Sequence, residues 1–231
     1  VFITCSSGPE QDRLRVLCID GTKGQSLWER QFWATGRTMC HEKTSVAAPT
    51  PCTDGVRIYA LFSSNDLVCL DFDGNLIWLR GITADYPNVS NSLGMASSLV
   101  VTDGVVVAQV ENDSESYAIG IDAVTGKNIW KIEREKSANW TSPLVLSPGL
   151  VGLQSKSGID AVDTADGHFL WKYDGGASTI PSSCRKGNVL FVPSKGLTAL
   201  AYNLSSQKSP KQLWSSSRLS QGTSSPVVVS Y

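Results

Sequence analysis

Five tryptophans constrain this chain more than any other feature. Trp28, Trp78, Trp130, Trp171 and Trp214 recur at intervals of 50, 52, 41 and 43 residues, and each closes a similar phrase. A fixed period of this size marks one supersecondary unit used repeatedly, no copy of which can bury its apolar faces alone. Cys18-Ile19-Asp20-Gly21-Thr22-Lys23-Gly24 leads to Trp28, and Ile121-Asp122-Ala123-Val124-Thr125-Gly126-Lys127 leads to Trp130. Leu70-Asp71-Phe72-Asp73-Gly74 and Val162-Asp163-Thr164-Ala165-Asp166-Gly167 are variants, and the copy before Trp214 is degenerate, with an insertion containing Pro210.

Each phrase reads as strand, tight turn, strand. Asp bonds its own downstream backbone and Gly tolerates positive φ, so the pair supplies the turn. A second hairpin lies upstream of each phrase, turning at Asp54-Gly55, Asp103-Gly104 and Pro148-Gly149. The unit is therefore four antiparallel strands, a to d. Ser142-Pro143 and Ser225-Pro226 open strand a, where a missing N–H does least harm. No stretch shows sustained helical periodicity. Radially packed four-stranded units make a β-propeller, so the fold class is all-β. One domain over 1–231 is expected, with blade equivalents at 1–32, 46–82, 95–133, 141–174 and 180–216 and a lone strand a at 224–231. Residues 1–32 supply only strands b, c and d. Two arrangements compete: closure of five blades by pairing Val227-Val228-Val229 with Phe2-Ile3-Thr4, or membership of a larger seven- or eight-bladed ring.

Composition narrows the function. With 41% hydrophobic residues the chain is not a disordered one. Twenty basic and 21 acidic residues leave a net charge of -1, so nucleic acid is not an expected partner. The apolar runs fall far short of the roughly 18 residues a transmembrane helix needs. The chain starts at Val1 rather than Met, which fits removal of a leader or an upstream segment. The six cysteines form no CxxC pair, and two histidines leave no imidazole-rich metal site. Cys18 and Cys69 precede the repeat Asp by two residues, a slot that Gly120, Ala161 and Ala201 fill elsewhere, so both are read as small buried thiols. Cys5 on strand b leaves a cross-strand disulfide with Cys18 open. Asp71-Phe72-Asp73-Gly74-Asn75 begins like a calcium loop but lacks the acidic twelfth residue, and is read as a turn.

The wording D-x-x-T-G-K-x-x-W, complete from Asp122 to Trp130, together with the Ser-Ser-Pro-Val opening strand, resembles the PQQ-like β-propeller repeat. The resemblance covers essentially the whole chain and implies one of two functions. Non-enzymatic members are exported bacterial scaffolds, which implies a periplasmic or otherwise exported location. Quinoprotein alcohol dehydrogenases hold PQQ with calcium in the central funnel. They carry a pair of adjacent cysteines that this chain lacks, and none of their calcium ligands transfers to a residue here. The expectation is a non-catalytic propeller without cofactor that binds a protein or polymer partner. A PQQ-dependent oxidoreductase, or its degenerate descendant, is the alternative.

Strand order places the d-to-a connections and the b-to-c turns on one face. Long loops on a rigid scaffold are where binding residues usually sit. The first connection carries Trp33, Arg37, His41, Glu42 and Lys43, the second Asp85, Tyr86, Asn88 and Asn91, and the third Arg134, Lys136, Asn139 and Trp140. Arg37, His41, Tyr86, Asn88, Asn91, Asn139 and Trp140 are the candidate binding residues. No catalytic or metal-ligating residue is assigned.

Overall fold

The computed structural model describes residues 1–89, 93–204 and 208–229. The strands form five antiparallel meanders. Blade one has β1 (Phe2–Ser7), β2 (Arg13–Ile19) and β3 (Ser26–Trp33). Blade two has β4 (Cys52–Thr53), β5 (Arg57–Leu61), β6 (Asp66–Asp71) and β7 (Leu76–Gly81), followed by a single helical turn, α1 (Ile82–Asp85). Blade three has β8 (Val100–Thr102), β9 (Val105–Val110), β10 (Tyr117–Asp122) and β11 (Asn128–Glu133). Blade four has β12 (Leu144–Ser147), β13 (Leu150–Ser155), β14 (Gly158–Asp163) and β15 (Phe169–Tyr173). Blade five has β16 (Cys184–Lys186), β17 (Val189–Pro193), β18 (Leu197–Ala201) and β19 (Lys211–Ser216). The chain is an all-β propeller segment, and its apolar clusters lie between blades. Tyr59 and Leu67 of blade two, for example, share one cluster with Val106 and Ile119 of blade three.

The tryptophan register follows from sterics inside each sheet. Trp28, Trp78, Trp130, Trp171 and Trp214 lie directly across from Cys18, Cys69, Gly120, Ala161 and Ala199. The slot takes a small residue because the ring lies over it. A Cβ on Gly120 would come within 2.1 Å of the Trp130 ring. In the degenerate copy this residue is Ala199, not the expected Ala201, because the insertion before Trp214 obscures the spacing. Immediately beyond each of these pairs the ladder slips, giving the same β-bulge in all five sheets. A bulge adds local twist and re-aims side chains. It turns the residue before the tryptophan outward, which explains the exposure of Leu27, Ile77, Ile129 and Leu213.

Each ring then reaches the next blade. Trp28 donates its indole N–H to the Phe72 carbonyl at 2.8 Å, Trp78 to Ala123 at 3.3 Å and Trp130 to Thr164 at 2.8 Å. All three acceptors follow a repeat Asp. The ring faces lie on Gly74, Gly126 and Gly167 of the same turns. Gly126 has φ +70°, and a Cβ there would fall 2.7 Å from the Trp78 ring, so the turn and the wedge both require glycine. The last two copies depart from this. Trp171 is buried against Tyr202, with ring centroids 5.7 Å apart, and its N–H has no partner among the described residues. Trp214 is 41% exposed. The five rings therefore share a register, but only three share the inter-blade bond.

A second tie runs along the inner strands. The Thr50 N–H donates to Ser98 Oγ at 3.0 Å and the Ser98 N–H to Ser142 Oγ at 3.0 Å. The Ser142 N–H donates to Ser182 Oγ at 2.9 Å and the Ser182 N–H to Ser225 Oγ at 2.9 Å. This belt explains why β4 and β8 start later than the blade bounds expected at 46 and 95. The backbone there is spent on neighbouring blades instead of the ladder. Ser225 keeps the belt register, yet 224–229 forms no strand. The sheet partner of β1 is β2 alone. The pairing that would close five blades is therefore not formed among the described residues, and Val227 is 82% exposed.

The cysteine expectations divide. Cys18 and Cys69 are buried, as their slot requires, while Cys5 registers with Arg15 and Cys18 with Phe2. The disulfide left open by the sequence is not formed, since the two thiols are not opposed, and all six cysteines are free. The calcium-like segment is a turn, with the Asp71 carboxylate accepting the N–H groups of Asp73 and Asn75.

Two outcomes follow from these ties. Trp130→Ala should cost about 3–5 kcal/mol and Trp214→Ala less than about 1 kcal/mol, read from urea unfolding of both variants. The second outcome concerns the turn aspartates. Backbone N–H donors, led by Lys23 at Asp20 and Thr125 at Asp122, hold both carboxyls below their ordinary value of 3.8. A depressed carboxyl stabilises the fold above its unfolded pKa and loses that contribution as pH falls through the folded value. Thermal melts should therefore drop below about pH 4, and Asp122→Asn should flatten that drop.

Candidate functional site

Four successive d-to-a connections meet at one apolar cleft of about 370 Å³ on the loop-rich face. His41 and Thr44 come from the connection after β3, Leu93, Met95 and Ala96 from that after α1, Trp140 from that after β11 and Ile180 from that after β15. Direct hydrogen bonds hold the connections together. The His41 N–H donates to the Leu93 carbonyl at 3.0 Å. Ser63 bridges the same pair of loops, donating to the Met39 carbonyl at 2.7 Å and accepting from the Met95 N–H at 2.8 Å. The Trp140 indole donates to the Gly94 carbonyl at 2.9 Å, and the Trp140 backbone N–H to Thr179 at 2.8 Å. Gly94 sits at φ +79°, where a Cβ would lie 2.6 Å from the Met39 carbonyl. The rim is thus fixed by bonds between loops, not by packing within any one of them.

The sequence candidates fall into separate places. His41 and Trp140 meet at the cleft. The His41 Nδ1 accepts the Lys43 N–H at 3.1 Å, which sets the ring's orientation. Arg37 is exposed and lines a separate shallow depression with Gln11 and Cys40. Tyr86 turns away from the face: its ring packs on Tyr117 at 4.6 Å, Lys131 Nζ lies 4.7 Å from its centroid, and its hydroxyl accepts from Asn128 Nδ2 at 2.6 Å. Asn88 is exposed, and its N–H donates to Glu115 at 3.3 Å. Asn91 lies outside the described residues.

Asn139 is not a surface residue. It is 2% exposed, and its amide donates to Glu111 Oε2 and to the Gln154 carbonyl, both at 2.7 Å. Its Oδ1 accepts from Thr141 Oγ1 at 2.9 Å. Arg134, also a loop residue by sequence, is buried in the same network, donating to Glu111 at 2.5 Å and pairing with Asp160. Burial is the largest influence on the Glu111 carboxyl and pushes it up, against the pull of Arg134. Gln154 extends the network to blade five, donating to the Ser178 and Pro181 carbonyls and accepting from Ser183. A buried, hydrogen-bonded set of this kind fixes a loop's position. Here it holds the segment that presents Trp140.

Leu93, Met95 and Ile180 were missed in the sequence. The available signal was a large apolar residue in an otherwise polar connection, and Leu93 and Ile180 are 46% and 47% exposed. The donor set does not fit PQQ with calcium. The cleft is walled by aliphatic groups and the Trp140 indole, with one imidazole, one hydroxyl and no carboxylate. Among the described residues, the side chains close enough to share a metal are Asp163, Asp166 and His168. They belong to a c-to-d turn on the opposite face, where Asp166 already bonds His168 Nδ1 at 2.7 Å.

A sequence model of the family described as outer membrane protein assembly factor BamB matches residues 12–173 and 89–230. BamB of Yersinia pestis is 25% identical over 161 residues, 69% of this chain and 37% of its own length. The chain therefore spans just over a third of that curated relative. The crystal structure of BamB from Moraxella catarrhalis superposes with a TM-score of 0.58 at 14% identity, over 84% of this chain and 56% of that one. Quinohemoprotein alcohol dehydrogenase from Comamonas testosteroni gives 0.59 at 14% identity, over 87% and 38%. At this identity both structures speak for the fold alone.

The buried network and the open rim should respond differently to truncation. Arg134→Ala strands Glu111 and should destabilise by about 3–5 kcal/mol. Arg37→Ala should stay within about 0.5 kcal/mol. Urea unfolding of the two variants checks the contrast.

Proposed function

The chain belongs to the outer membrane protein assembly factor BamB family, and from that membership we propose that it is a non-catalytic scaffold that binds a protein partner through its loop-rich face. The observation that carries this reading is the apolar cleft, where four connections are hydrogen-bonded into one rim around Trp140 and His41. A rigid aromatic in a pre-formed apolar pocket, with polar groups around it, is how protein interfaces anchor. The relatives' name, an assembly factor of outer-membrane proteins, supports an exported location and a polypeptide partner. No helix among the described residues is long and apolar enough to cross a membrane. The proposal includes no cofactor.

The dehydrogenase-like neighbours define the competing outcome. Titration with PQQ and calcium, followed by an alcohol-driven dye-reduction assay, should give neither saturable binding nor turnover. Turnover would replace the scaffold reading by an oxidoreductase. The positive test uses quantitative co-purification from the native organism. Trp140→Ala should lower capture of a specific partner by about tenfold or more while the far-ultraviolet spectrum of the chain is retained. Unchanged capture would remove the cleft from the interface.

A further inference from the structure

The connection that brings Ile180 to the apolar cleft lines a second depression a few residues earlier. This pocket, of about 520 Å³, lies at the loop-rich end of the seam between blades four and five. Lys156 enters it from the turn between β13 and β14, and Lys195 from the turn between β17 and β18. Tyr173 at the end of β15 and Gln212 on β19 complete its polar wall. The backbone here is already committed: the N–H groups of Gly176, Ala177 and Ser178 donate to Ser157, Lys156 and Pro193. A Cβ on Gly175 would fall 2.1 Å from the Tyr173 hydroxyl, so glycine is what lets that hydroxyl lie over the loop.

The wall has an imbalance. Neither ammonium has an ion pair among the described residues, and the Tyr173 hydroxyl and the Gln212 amide have no partner there either. No carboxylate lines the pocket. Of the acids near the pocket, Asp160 pairs with Arg134 and Lys172, Glu135 accepts from Ser157 at 2.7 Å, and Asp174, between Tyr173 and Gly175, lies outside the lining. Two cations and two neutral donors, with no carboxylate in the lining, select an anionic ligand. The pocket is an open trough, larger than one small oxyanion fills. Gly176 and Ile180 are four residues apart, so the two sites lie within at most about 14 Å of chain along their shared connection. A single extended peptide of about five residues can reach from one to the other.

We propose that this pocket binds the carboxylates of an acidic segment of the protein partner, next to an apolar side chain of that segment seated in the Trp140 cleft. The proposal rests on the partner-binding reading above and gives its partner a chemistry. The test titrates the intact chain with capped hexaglutamate and with capped hexaglutamine, followed by calorimetry and by amide NMR shifts of 156–157 and 194–196. Hexaglutamate should bind saturably, weaken as salt is raised, and lose about tenfold or more in affinity in Lys156→Gln/Lys195→Gln. Both lysines are exposed, so the double variant keeps its fold. Hexaglutamine should not bind. Failure of hexaglutamate to bind, or equal binding by the double variant, overturns the proposal. Displacement by inorganic phosphate at equal concentration also overturns it, assigning the pocket to free oxyanions. These failures leave capture through the Trp140 cleft untouched, and loss of that capture leaves the hexaglutamate result standing, so the two readings fail separately.

Discussion

The rest of the structure depends on an indole crossing from one blade to the next. Trp28, Trp78 and Trp130 each place a ring on the glycine of the following turn and an N–H on its carbonyl. The contact needs three local features at once. A small residue must lie under the ring, a bulge must aim it, and an Asp-led turn must present a bare backbone. All three are written in one phrase of about ten residues, which is why the phrase repeats as a block. Where the turn degenerates after Tyr202, the bond is lost and Trp171 keeps only the burial. Apolar clusters between the blades supply the bulk of the packing, and the serine belt aligns the inner strands.

This arrangement divides the molecule by face. The c-to-d turns at one end are held by the tryptophans, so their sequence is constrained by packing. The d-to-a connections at the other end carry no such constraint and differ in length and composition. The binding function proposed above is assigned to these connections. The connections are nonetheless rigid, because Ser63, Gly94 and Trp140 join them and the Arg134–Glu111–Asn139 network holds them from beneath. A partner would meet a pre-formed surface and spend little ordering it.

The sequence was most informative where structure is local. Asp-Gly turns, strand alternation and the tryptophan period placed all five blades, because each depends on a few contiguous residues. It was least informative where a residue's fate depends on distant ones. Asn139 looked like a loop amide, but Glu111 and Gln154 from two different blades bury it. Tyr86 followed a polar loop in sequence, yet α1 directs it toward Tyr117. The slot beneath Trp214 was misplaced by two residues, since an insertion separates strands that are adjacent in space. Arg37, His41 and Trp140 were singled out because aromatic and charged side chains on a long connection are local features too, and of these His41 and Trp140 line the cleft. Their grouping was not legible, since it is set by bonds between connections.

We propose that partner binding belongs to the loop-rich face while the turn face is structural. Site-specific photo-crosslinking tests it most directly, with benzoylphenylalanine placed at Ile180 in one protein and at Val124 in another. Both positions are exposed, at 47% and 57%, and they lie on opposite faces. A discrete crosslinked partner is expected from position 180 and none from position 124. The same partner captured from position 124, with nothing from position 180, would contradict it.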